Sequence, residues 1–150
     1  MELVRTLPNV HGNVWWPGWS LAPQQPSRNP KFALQDSLKA EYQRFPALIP
    51  AYTDIDAEAP EPVKSIFRRS GKICWTVIPT DDVMQQPHFF VVYRYPAKAA
   101  VDTSKSEYIY KITRDDCFIP EKASAGKYKY AVTVVDKCWN ESPVSKTIVW

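Results

Sequence analysis

A chain of 150 residues with 45% hydrophobic and 23% charged residues is the size of one ordinary domain, and too apolar to be a disordered tail. Its net charge of +3 arises from 19 basic and 16 acidic residues, spread too evenly to single out nucleic acid as a partner. No apolar run is long enough to span a membrane, and 14 prolines, 4 glycines and 13% aromatic residues lean toward β structure.

The first half, residues 1–58, opens without a basic start followed by an apolar run, so no signal peptide is expected there. Residues 10–21 read VHGNVWWPGWSL, a strand running into a proline-rich loop with Pro23, Pro26 and Pro30. Residues 29–45 then read as a helix. Asn29 suits the N-cap and Pro30 the first helical position. Phe32, Leu34, Leu38, Tyr42 and Phe45 gather most of the apolar surface on one face. Pro46 stops the helix. A single strand–loop–helix unit cannot bury both of its faces alone. Residues 54–62, DIDAEAPEP, are acidic and lack apolar periodicity, and read as an extended hinge.

The second half, residues 59–150, reads as all-β. Strands are expected near 63–68, at 72–78, 89–95, 107–112, 117–119, 128–135 and 146–150. Short strands at this density indicate a β-sandwich. In KICWTVI, residues 72–78, Ile73, Trp75 and Val77 share one face. In FFVVYRY, residues 89–95, Phe89, Val91, Tyr93 and Tyr95 share one face and Phe90 and Val92 the other. In residues 128–135, Tyr128, Tyr130, Val132 and Val134 point inward, while Ala131 and Thr133 join Lys127 and Lys129 outside. Phe90 and Val92 are then apolar on an outer face, where a solvated strand carries polar residues. Either the Phe32, Leu38 and Tyr42 face of the first-half helix docks on this patch, or the strand switches register at a bulge.

The cysteines Cys74, Cys117 and Cys138 contain no C-x-x-C pair, and only His11 and His88 could join them. Neither a metal site nor another cofactor is expected. Three cysteines allow one internal disulfide, such as Cys117–Cys138, with one free thiol, or three free buried thiols.

Several positions of the second half agree in register with one family. The lead-in Ala59-Pro60-Glu61-Pro62, Trp75 on the second strand, Val91–Arg94 on the third, YKYAVTVVD at 128–136 and NES-P-x-S at 140–145 resemble a fibronectin type III domain. That resemblance makes Trp75 the core tryptophan and gives Tyr128 the tyrosine-corner position, where a phenol bonds nearby backbone. Tyr130 and Val132 complete the inward row. The first half, with NVHGNVWWPGWSL, a helix and YQRFPALIPAY, is similar to the barrel end of bacterial glycosyl-hydrolase-like family 10 proteins, (β/α)₈ barrels followed by a fibronectin-type domain. The resemblance implies that 10–20 is the last barrel strand with its loop and 29–45 the last barrel helix. It also implies a secreted, extracytoplasmic parent, periplasmic or at the cell surface and a candidate lipoprotein, whose catalytic carboxylates lie upstream of Met1.

Glycoside hydrolysis needs two carboxyls facing each other across a sugar at roughly 5–9.5 Å. Asp54, Asp56 and Glu58, Asp81 and Asp82, and Asp115 and Asp116 all fall in expected hinges or turns, where Asp serves local hydrogen bonding. Neither histidine has a triad around it, and no catalytic residue is assigned to this chain. The Asn140-Glu141-Ser142 sequon is read as a turn. Trp15, Trp16 and Trp19, in a loop at the face where barrels keep their active sites, are candidate sugar contacts. Trp139 is either a further exposed contact or a lid over the sandwich end, and Trp150 caps the core. Three functions compete: a non-catalytic accessory module bracing the upstream barrel and presenting it to polysaccharide, a carbohydrate-binding module using exposed tryptophans, and a protein adhesion domain.

Overall fold

The computed structural model describes Pro8, residues 38–122 and residues 125–150. The expected strand at 10–21, residues 29–37 of the expected helix, Phe32 and the tryptophans Trp15, Trp16 and Trp19 lie outside the described residues. The chain divides into two compact units, Met1–Arg44 and Phe45–Trp150. In the first, the described part of the expected helix is one π-helical turn, Leu38–Tyr42. Gln43 N–H donates to the Leu38 carbonyl at 2.6 Å across it, and Leu38 is buried. The turn ends ahead of Pro46, whose ring disfavours helix in the residue before it.

The second unit is built from two antiparallel sheets. The strands are β1 (Ser65–Arg69), β2 (Lys72–Thr76), β3 (Phe89–Pro96), β4 (Ile109–Thr113), β5 (Cys117–Phe118), β6 (Tyr128–Val135) and β7 (Ile148–Val149). The three-stranded sheet runs β1-β2-β5 and the four-stranded sheet β4-β3-β6-β7. Ser70 and Gly71, at φ 49° and 74°, form a two-residue turn of the primed type that matches strand twist. Arg69 therefore faces Lys72 across it.

The sheets share one interior, and its composition explains their pairing. Ile73, Trp75 and Phe118 come from the first sheet, and Phe90, Val92, Tyr130, Val132 and Val134 from the second. Trp75 meets Phe90 edge-on at 5.3 Å. Tyr128 is half-buried at the margin. A bulge places Lys111 opposite Val92 and Ile109 opposite Tyr93. The extra residue, Tyr110, turns its ring to Phe118 and Tyr130, at 5.8 Å from each.

This arrangement corrects the facing of β3. Phe90 and Val92 are interior residues packed on the other sheet, so they are no docking patch for Phe32, Leu38 and Tyr42. Both faces of β3 are apolar, and alternation alone does not say which one turns inward. The outer face carries Val91, Tyr93, Tyr95, Ile109, Ala131 and Val135, all buried, with Leu48, Phe89, Ala99, Tyr108 and Trp139 packed against them. Ala131 and Thr133 are likewise buried rather than solvated.

The acidic segment is also not a free hinge. Tyr52 N–H donates to the Cys138 carbonyl at 2.8 Å. Asn140 Nδ2 donates to the Asp56 carbonyl at 3.0 Å, and Pro60 and Val63 are buried. Backbone bonds hold this segment to the sandwich, which places the start of the unit at Phe45 instead of near residue 59.

Candidate functional site

The loop after β6 shows how the sequence builds one end of the sandwich. Asp136 is fully buried, and its carboxylate accepts from the Asn140 backbone N–H at 2.9 Å and from Asn140 Nδ2 at 3.0 Å. Buried charge is tolerated where hydrogen bonds replace water. The tight loop holds Trp139 at φ 66°. Its ring is half-buried and lies on Phe89 at 5.4 Å. With Asn140 only 6% exposed and its amide occupied, the Asn-Glu-Ser sequon is structural. Glu141 accepts from the Tyr93 phenol at 2.5 Å and from Thr133 Oγ1 at 2.6 Å.

Three of the carboxylates considered for catalysis, Asp56, Asp82 and Asp115, bond locally at turns. Asp56 accepts from Glu58 N–H and from Gln85 Nε2, each at 3.0 Å. Asp82 accepts from Met84 N–H at 2.9 Å, and Asp115 accepts from Thr113 Oγ1 at 3.2 Å. Asp54, Asp81 and Asp116 are exposed. His88 lies edge-on to Phe89 at 4.3 Å. Among the described residues no group of His, Cys, Asp and Glu could hold a metal ion. Burial and the bond to Glu141 push the Tyr93 phenol far above its ordinary value. Burial pushes Tyr95 up to about 12. Both phenols are therefore neutral at physiological pH.

The cysteines differ from the illustrated pairing. Cys74 on β2 faces Cys117 on β5, and these two form the disulfide, leaving Cys138 free and buried. Burial, with the charges of Asp136 and Asp56 adding to it, pushes the Cys138 thiol up. Tyr128 makes no corner bond among the described residues. Its ring instead lies under the Arg94 guanidinium at 4.8 Å, with Tyr110 at 4.5 Å from the same group. Arg94 also pairs with Glu121 at 3.6 Å.

Charge separates along the sandwich. At the Thr76 end of β2, an acidic recess of about 240 Å³ is lined by Glu58, Glu61, Asp82 and Gln85 among others. At the opposite end, by the β1–β2 turn, an open cleft of about 470 Å³ is bounded by Arg68, Arg69, Lys122 and Trp150. A second cleft, of about 580 Å³, is bounded by Lys72, Lys111, Tyr110 and Phe118. Among the described residues no Asp or Glu side chain lines either basic cleft. The sequence signal of this cluster, absent from the candidates above, is Arg68-Arg69-Ser70-Gly71-Lys72: a primed turn brings the cations before and after it side by side.

No family model matches the chain, and neither does any curated protein or solved structure. The functional reading therefore rests on the residues themselves.

Proposed function

We propose that residues 59–150 are a fibronectin type III-like module, and that the chain serves as the non-catalytic accessory end of a secreted glycoside-hydrolase-like protein. The module braces an upstream barrel and helps to present it to polysaccharide. The observation that carries this reading is the pair of antiparallel sheets closing over Trp75, the place that the resemblance gives its core tryptophan. The Cys74–Cys117 bridge supports an extracytoplasmic location, because disulfides persist in oxidising compartments.

Reading the source DNA upstream of the Met1 codon tests the proposal. An open frame of some hundreds of codons with repeated strand–helix patterning, preceded by a signal peptide, is the expected result. A stop codon and a ribosome-binding site immediately before Met1 overturn it.

A further inference from the structure

We infer that the two basic clefts form one binding strip for a linear polysaccharide bearing carboxylate groups. The inference extends the presenting role proposed above by naming the polymer class, but the clefts belong to the sandwich alone. Arg69 and Lys72 face each other across the β1–β2 turn, so this cation pair links the cleft of Arg68, Arg69, Lys122 and Trp150 to that of Lys72 and Lys111. No ion pair occupies these five cations among the described residues. Glu121, next to Lys122 in the chain, is engaged by Arg94. The acidic recess lies beyond the other end of a five-residue hairpin, about 14 Å away at ordinary strand rise. That exceeds a Debye length of about 8 Å at physiological salt, so the acidic end does not cancel the field here.

Concavity and aromatic surface favour a sugar polymer over a nucleic acid. Both recesses fall in the range of small-ligand clefts, roughly 300–1,000 Å³. The Trp150 indole is half-buried at the edge of the core, and Arg68 stands over its ring at 5.4 Å while donating to the Val149 carbonyl. The exposed part of the indole beside the Arg68 and Arg69 guanidiniums suits a pyranose, whose C–H face is apolar and whose carboxylate takes bidentate bonds from arginine. The phosphate backbone of a nucleic acid requires a broad basic face, whereas this molecule carries an acidic pole as well.

Calorimetric titration of the whole 150-residue chain into polygalacturonate tests the inference, with neutral pullulan and polyglutamate as comparison polymers. The expected result is binding to polygalacturonate that weakens with added salt, none to pullulan, and binding to polyglutamate about tenfold weaker. The Arg69→Glu, Lys122→Glu double variant, with both changes on exposed side chains, should keep its melting temperature and bind about tenfold more weakly or worse. Trp150→Leu should also weaken binding; if it lowers the melting temperature, the charge-reversed pair decides the matter. Absence of polygalacturonate binding, undiminished binding by the double variant, or equal binding of polyglutamate or double-stranded DNA would each overturn the inference. None of these outcomes bears on the reading frame upstream of Met1, so the two proposals fail separately.

Discussion

At the scale of single residues, Asp136 and Asn140 show most directly how this sequence commits to its fold. The carboxylate is buried in exchange for bonds from one residue four positions later, and that residue's amide also reaches the Asp56 carbonyl. Asn140→Ala should therefore cost roughly 2 kcal/mol, since it strips a buried charge of one donor. A urea midpoint within error of the parent would show that the amide is not holding the carboxylate. Phe90→Ala should cost about 3–5 kcal/mol, because it empties a site against Trp75. Pulse proteolysis should then find the whole of residues 45–150 weakened. A loss confined to the first unit would instead favour a docking role. Tyr95 supplies a pH signature. Its folded pKa is raised, so the stability it contributes is complete below the unfolded value near 10 and is lost as pH climbs toward about 12. Urea midpoints taken between pH 9 and 11.5 should fall with pH, and Tyr95→Phe should flatten that fall.

At the scale of elements, the disulfide and the last strand carry the argument. Cys74 and Cys117 are 43 residues apart in sequence, and closing a loop of that length constrains the unfolded chain by about 4 kcal/mol. Replacing both with alanine should lower the urea midpoint accordingly; an unchanged midpoint would mean that the bridge adds nothing. Strand positions were legible in the sequence because alternation and turn residues are local signals. The pairing of the cysteines was not, because β5 joins β2 only after the chain has crossed to the other sheet and laid down β3 and β4. The facing of β3 was equally hidden, since its outer residues are covered by Leu48, Tyr108 and Trp139 from distant loops. Residues 54–62 read as a linker because their partners, Asn140 and Gln85, come from distant parts of the chain and bond largely to backbone carbonyls, which composition does not record. Of the candidate sugar contacts, Trp139 packs on Phe89, a contact made across the fold that local sequence does not record, and the basic cluster depends on register across a turn.

At the scale of the whole molecule, the covering segment decides where the domain can be cut. A fragment beginning at residue 45 should fold with the stability of the second unit. One beginning at residue 59 loses Leu48 and the bonds from Tyr52 and Asp56, and so uncovers the Val91, Tyr93 and Val135 face. It should melt lower and bind a hydrophobic dye; equal melting of the two fragments would contradict this. A further consequence follows from the way the chain lies beside β6 ahead of β7. Val134 and Val132 donate their N–H groups to the hydroxyls of Ser142 and Ser145, at 2.9 Å each. The two serines return their own N–H groups to the Val134 and Val132 carbonyls, at 2.8 and 3.0 Å. Side chains thus complete half of the ladder, and Pro143 between them has no N–H to offer. A rim built in this way gives an incoming strand no regular row of donors and acceptors to copy. The opposite rim is kinked by the bulge at Tyr110, and the outer rim of the smaller sheet carries Arg68 and Arg69. Fibril growth by edge addition is thereby discouraged on each of these sides.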